Sequence, residues 1–292
     1  GYSMTKGLTF ILVLAVTLMT PLSQADSSIL PLRTESLMTE AVQALPPWPA
    51  SMLISGESAH GQKVLHEGEF VVVIYESVPA VIRINEPYPY DEFVRVLEGT
   101  VVLTSDSGDR QVYGPDDHFL VPKGWMGTWD MPSPFRELII VETAAWNQSE
   151  STIASFFGSK SPTGKADPEV LPLLVDALRE DTLEALPPWP EGVVVAGVNK
   201  HAQKVLHEGE VVAALYGAEA ARLTVAAPFP YDEYVLVLKG KVVLTSKDGS
   251  SQTFGVGDGF LVPKGWTGTW DMPEQYLEKI IVETAAWNEA EG

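Results

Sequence analysis

Apolar and polar residues alternate in short runs through most of this chain. In the first half the runs are Met52–Ser55, Gln62–His66, Glu69–Tyr75, Ala80–Asn85, Glu92–Leu97, Thr100–Ser105, Arg110–Tyr113, His118–Val121, Gly127–Asp130 and Arg136–Glu142. A period of two puts successive side chains on opposite faces of a strand, and glycine or proline punctuates many of the gaps. Many short strands at regular spacing predict a barrel or sandwich. Two stretches depart from this pattern. Thr34–Ala44 and Leu174–Ala185 carry apolar residues at helical spacing and predict short amphipathic helices. Each is followed by Leu-Pro-Pro-Trp-Pro, which cannot continue a helix and predicts an extended lead-in packing Trp48 or Trp189 on the barrel.

The segment Leu120–Met131, LVPKGWMGTWDM, returns nearly unchanged as Leu261–Met272. Pro122 lacks the N–H a sheet ladder needs, so it ends the run before it. Gly124 suits the turn, and Trp125, Gly127 and Trp129 then alternate on one face. The two copies align without a gap from Leu30–Asn147 to Leu171–Asn288, since 171 − 30 and 288 − 147 both equal 141. That period is too long for a solenoid unit and denotes a duplicated domain. The expected organisation is a targeting segment at 1–25, a first domain at 26–147, a linker at 148–170 and a second domain at 171–292.

Composition narrows the function classes. The 292 residues suit two domains, and the formal charge of −20 disfavours nucleic acid and anionic lipid as partners. There is no cysteine, which excludes thiolate catalysis and Cys-ligated zinc. Lys6 precedes the apolar run Leu8–Met19, Pro21 breaks it, and Ser23-Gln24-Ala25 supplies small residues before Asp26. This predicts a cleaved signal peptide, a periplasmic or secreted protein, and no stable membrane insertion afterwards.

Three groups of residues could carry chemistry. His60 and His66, in HGQKVLHEGE, fall on one strand face with Gln62 and Val64 if the alternation is strict; two such histidines can ligate a metal or move protons. The same residues also serve as satisfied structural groups. Trp125 and Trp129 offer either an aromatic wall for a ligand or barrel-end core. Tyr90-Asp91-Glu92 places carboxylates and a phenol at the start of a strand. An inward Glu92 without a metal should have its pKa raised by desolvation.

Glu92 and Gly99, followed by Pro122 and Gly124, resemble the two signature motifs of the cupin superfamily, and Glu233, Gly240, Pro263 and Gly265 repeat them. Asp116 stands where the second motif opens with glycine; the second copy has Gly257 there. The Pro-Lys-Gly-Trp-x-Gly-Thr-Trp-Asp-Met ending resembles the subfamily of ethanolamine-utilisation Q-type and (S)-ureidoglycine aminohydrolase-like cupins. The resemblance implies an all-β protein of two jelly-roll barrels with short helical lead-in segments. It also implies two histidines one residue apart ahead of the glutamate, and a third after the Pro-x-Gly turn. Here those positions hold Glu86, Tyr88 and Gly127, then Ala227, Phe229 and Gly268. The usual metal is therefore not expected. The alternative, a manganese or zinc ion on His60, His66, Glu86 or Glu92, rests on a thin ligand set.

Three functions stay open. One is an exported bicupin that binds a small polar or amine-bearing molecule without metal, through Arg83, Glu86, Tyr88, Glu92, His118, Trp125 and Trp129. The second is an aminohydrolase-like or isomerase-type enzyme acting through Glu86, Tyr88 and Glu92. The third is a structural assembly protein; cupins commonly associate, so a homo-oligomer is a further expectation. Copy two has Thr224, Ala227, Phe229 and Gly259 in place of Arg83, Glu86, Tyr88 and His118. If Glu86 points inward, the polar site is expected in barrel one, with barrel two as scaffold.

Overall fold

A computed structural model describes residues 28–151 and 168–291. The predicted signal segment and most of the predicted linker lie outside the described residues. The chain divides into two compact units, one formed mainly by Leu37–Glu67 and Val71–Leu173, the other mainly by Leu174–Gly292.

In the first unit, a seven-stranded sheet runs in the order Leu171–Pro172, His118–Val121, Glu92–Glu98, Phe135–Glu142, Phe70–Ser77, His60–Glu67, Gln43–Ala44. A five-stranded sheet runs Leu53–Gly56, Ala80–Ile84, Gly127–Met131, Val101–Ser105, Arg110–Tyr113. The recorded pairings are antiparallel. The second unit repeats both sheets, and the predicted all-β architecture of two jelly-roll barrels is what forms. Alternation decides which side chains point inward: Val94 and Val96, Ile139 and Val141, Phe119 and Val121, Trp125 and Trp129 all join one buried core. The predicted aromatic pair Trp125/Trp129, and the equivalent Trp266/Trp270 of the second copy, are thus core residues of their own barrels.

Both predicted helices end early. They span Thr34–Thr39 and Val175–Arg179, and the residues after them, Gln43–Ala44 and Glu184–Ala185, become edge strands on His60–Glu67 and His201–Glu208. Edge pairing satisfies backbone groups that a solvated last turn would leave to water. Arg136 fixes the first of these ends by donating to the carbonyls of Leu37 at 2.9 Å and Glu40 at 2.6 Å. Two further helices, Thr143–Ser151 and Thr284–Glu291, follow the last strand of each copy where no helix was predicted.

The strand exchange at the sheet ends is not visible in the alignment of the copies. Leu30–Leu32 opens the first repeat but pairs with Gly259–Val262 in the second unit, and Leu171–Pro172, which opens the second repeat, pairs with His118–Val121 in the first. Asp116 adopts the left-handed conformation, φ 68°, that Gly257 adopts with φ 87° in copy two. Aspartate is one of the few residues that tolerates this, and its carboxylate pairs with Arg95 at 3.2 Å. Among the described residues no helix is long and apolar enough to cross a membrane.

Candidate ligand site

The polar centre of each barrel is a pair of carboxyl groups on neighbouring strands. Glu92 points inward with Val94 and Val96. Glu137 sits one strand over, between Phe135 and Ile139 on the inward face. Both are 0% exposed. The Tyr88 hydroxyl donates to Glu92 Oε1 at 3.0 Å, while Glu92 Oε2 and both oxygens of Glu137 have no hydrogen-bonding partner among the described residues. Burial pushes Glu92 up to about 8, against the lowering effect of the Tyr88 bond. Burial also raises Glu137 well above the carboxylate range, and the nearby Glu92 charge adds to it. Two acids in one apolar chamber cannot both ionise cheaply.

The second barrel keeps the pair as Glu233 and Glu278 and changes the support. Phe229 replaces Tyr88, so the hydroxyl that serves Glu92 has no counterpart at Glu233, and burial lifts Glu233 to about 8. Tyr276 replaces Phe135, and its hydroxyl donates to Glu278 at 2.5 Å. Burial, then the Glu233 charge, raises Glu278 well above its ordinary value.

Glu137 and Glu278 were not among the residues singled out in the sequence. The signal was there: in FRELIIVE and YLEKIIVE the glutamate holds the same parity as Phe135 or Tyr276, Ile139 or Ile280, and Val141 or Val282. It is the charged member of an otherwise apolar inward face.

Beside each acid pair lies a histidine–tyrosine–tryptophan cluster. His60 Nε2 sits 2.6 Å from the Pro46 carbonyl, and Nδ1 sits 3.1 Å from the Tyr75 hydroxyl. A carbonyl only accepts, so Nε2 carries the proton and Nδ1 accepts from Tyr75. Desolvation lowers the His60 pKa, against the bond to Pro46, which favours this neutral form. Trp48 stacks on the ring at 4.1 Å. His201, Pro187, Tyr216 and Trp189 repeat the arrangement. The cluster anchors the Pro-Pro-Trp-Pro lead-in.

The other predicted residues are dispersed. Glu86 is exposed, so it neither faces Glu92 nor marks barrel one as the working barrel. Arg83 forms a surface ion pair with Asp106 at 2.6 and 3.0 Å. His118 is buried on the face opposite Phe119, edge-on to Phe93 at 5.5 Å, outside the barrel core. His66 is separated from His60 by a bulge between Val64 and His66: Val64 pairs with inward Val73, but His66 pairs with outward Val72. Strict alternation therefore misplaced it. Tyr88, Glu92, Trp125 and Trp129 do meet in one core, where Tyr88 packs edge-on to Trp125 at 6.3 Å. Asp91 accepts from the Lys123 backbone N–H at 2.9 Å and so pins the Pro-Lys-Gly turn. An open groove of about 410 Å³ lies elsewhere, at the sheet edge beside Val42, His60, Glu76, Pro134 and Arg136.

The usual cupin metal does not fit these residues. At Gly127, where a histidine ligand is expected, a Cβ would stand 2.2 Å from the Thr104 carbonyl oxygen and 2.6 Å from the Trp125 ring. At Gly268 the same contacts would be 2.1 and 2.7 Å. No side chain can enter there without moving backbone. Among the described residues no three His, Asp or Glu side chains converge as a metal would need.

Two jelly-roll barrels from one duplicated sequence, each with an inward glutamate on the strand that carries the first motif, define a bicupin. A model of the EutQ-like cupin domain matches residues 65–137 and again 208–280, half of the chain in all. The chain belongs to that family. No curated protein matches the sequence. Among solved structures, the chain is similar to a protein of unknown function of the DUF861 family from Pseudomonas syringae pv. tomato: 17% identity, 88% of this chain and 100% of that one, TM-score 0.63. A putative glyoxylate-induced protein from Pseudomonas aeruginosa matches at 15% identity, 91% and 93% coverage and TM-score 0.51. A salicylate 1,2-dioxygenase variant from Pseudoaminobacter salicylatoxidans, in complex with gentisate, matches at 14% identity, 94% and 86% coverage and TM-score 0.52. At these identities the likeness is one of fold.

Proposed function

We propose that this protein is an exported bicupin that binds a small polar molecule inside a barrel, on the paired carboxyl groups and without the usual metal. One observation carries the reading. The protein directs two buried carboxyls into each barrel and, in the first, leaves three of their four oxygens without a donor among the described residues. An unpartnered buried polar group costs about 1–3 kcal/mol, so a retained set calls for a partner that the chain itself does not supply. A small molecule with hydrogen-bond donors meets that need. Export rests on the amino-terminal segment described above, and the charge of −20 argues against nucleic acid.

The test is a thermal-shift and calorimetric screen of small amines, amides and polyols on the purified protein. The reading expects binding that weakens when Glu92, Glu137, Glu233 and Glu278 are all changed to glutamine. Binding untouched by that change would remove it.

The protonation of Glu92 favours a second reading. A carboxyl pushed to about 8 is a neutral acid at pH 7 and can donate a proton to a bound substrate. That is the role an aminohydrolase-like or isomerase-type enzyme would give it. Turnover lost in Glu92→Gln, or near-stoichiometric manganese or zinc in the purified protein, would favour the enzyme.

A further inference from the structure

The outer face of the five-stranded sheet is finished in one copy and unfinished in the other. In the second unit Arg222 and Asp271 stand opposite each other on paired strands, and Arg222 donates to Asp271 Oδ2 through Nε at 3.1 Å and Nη2 at 2.8 Å. In the first unit Val81 takes the place of Arg222, opposite Asp130. Arg83, on the same strand as Val81, is committed to Asp106. No ion pair to the half-buried Asp130 is found among the described residues. The rest of its row is apolar, with Val81 on one side and Val102 and Val112 on the other. Val112 is 51% exposed, and Ile54, in the bulge of the edge strand beyond Val81, is 58% exposed. The second unit has Thr253 in place of Val112.

A carboxylate set among apolar side chains calls for a cation, and the same face carries one. Arg110 is exposed and, like Asp130, has no ion pair among the described residues. The two flank one strand, Val101–Ser105: Asp130 lies opposite Val102, and Arg110 lies opposite Thr104 on the other side. Two strand spacings and a two-residue rise put their Cα atoms about 12 Å apart. A twofold axis lying in the plane of the sheet, and crossing that strand between Val102 and Thr104, exchanges the two positions. A second copy turned about that axis sets its Arg110 on Asp130 and its Asp130 on Arg110, the reciprocal contact a self-complementary patch requires. Val102 and Val112 fall between the two ion pairs. The second unit lacks the means: Ser251 stands where Arg110 does, and Asp271 is already paired.

We propose that this face of the first unit is a self-association surface, on which two copies of the chain meet about a twofold axis with Arg110 of each on Asp130 of the other and Val102 and Val112 packed between them. Five strands about 4.8 Å apart and about 15 Å long span about 360 Å². A standard interface covers about 800 Å² on each partner, so this one makes a weak dimer, half formed at about 0.1 mM.

The experiment is sedimentation velocity on the whole protein from about 0.01 to 1 mM, a range that brackets this midpoint. Chains of charge −20 repel one another, so the buffer holds about 0.15 M salt, which screens charges more than about 8 Å apart and leaves close contacts. The parent should pass from monomer to dimer across the range. Asp130→Arg sets arginine against arginine, and Arg110→Asp sets aspartate against aspartate; each should weaken association at least about tenfold. Mixed in equal amounts, the two variants meet with opposite charges at both contacts, and association should return to within about threefold of the parent. Thr253→Arg, on the outer face of the second unit, should leave it unchanged. Both reversals are at solvent-accessible positions, and circular dichroism melts check that each variant folds; should Asp130→Arg not fold, Arg110→Asp paired with Asp130→Lys gives the same mixture. A parent monomeric at the highest concentration overturns the inference, as do dimers that survive the reversals. A mixture no stronger than its components overturns it too, since it would place the contact elsewhere.

Discussion

Tyr88 donates its hydroxyl hydrogen to Glu92 at 3.0 Å in the first barrel; in the second, where Phe229 replaces Tyr88, the hydroxyl has moved to Tyr276 and serves Glu278 instead. Each barrel thus keeps one tyrosine for two acids but assigns it to the opposite member of the pair. Tyr88→Phe removes the sole hydrogen bond to a fully buried carboxyl. It should cost about 1–3 kcal/mol in urea unfolding. Tyr276→Phe should cost a similar amount, while Tyr231→Phe, outside the acid pair, should cost less. Equal losses at all three positions would mean that the hydroxyls act through general packing.

The pH dependence follows from the direction of the shifts. Glu92 and Glu233 have folded values of about 8 against 4.5, and Glu137 and Glu278 are raised as well. Above 4.5 the unfolded chain loses these protons while the folded chain keeps them. Stability is therefore highest near the unfolded value and declines as pH rises, the share of Glu92 and Glu233 levelling off above about 8. Urea midpoints should fall between pH 5.5 and 8. Glutamine at all four positions should flatten that slope. A midpoint rising across the window in the parent would contradict the buried acids.

Gly127→Ala places a Cβ where the Thr104 carbonyl and the Trp125 ring already stand. The expected loss is about 2 kcal/mol or more, since the nearest atom is backbone and cannot rotate away. Gly114→Ala, with nothing within 4 Å of its added carbon, serves as the control. Calorimetric melting of both variants measures the difference. A mild effect at Gly127 would reopen that position to a side chain, and with it the possibility of a histidine ligand.

Fragment stability tests the exchanged strand. A fragment of 26–147 lacks Leu171–Pro172 and the buried Val170 and Leu173 that flank it. A fragment of 37–173 contains them and omits Leu30–Leu32, which pairs in the other unit. The second fragment should melt at the higher temperature. The reverse order would show that the exchanged strand adds nothing to barrel one.

Particular residues explain what the sequence disclosed and what it concealed. Strand positions were legible because period two is imposed by the pleat itself, and Gly127–Met131 or His118–Val121 needs no tertiary information. The bulge at Val64/His66 inserts one residue without any mark in composition, so His66 turned to the other face. Glu86 and His118 were grouped with Glu92 by motif position, yet the first sits in an exposed turn and the second on the far side of its strand. Glu137 was legible by parity alone, since it shares the inward face with Ile139 and Val141. The exchange of Leu30–Leu32 was not legible, since the repeat register is the same whichever unit the strand joins.

That exchange also orders events in time. Leu30 has its sheet partner at Leu261, 261 − 30 = 231 residues later in the chain. At about 5–20 residues per second, synthesis needs about 10–50 s to supply it. Leu171, by contrast, finds Leu120 already made, only 171 − 120 = 51 residues behind it. The first barrel can thus close around its acids while the second is still being translated. The earliest described strand of the chain is among the last to acquire a place.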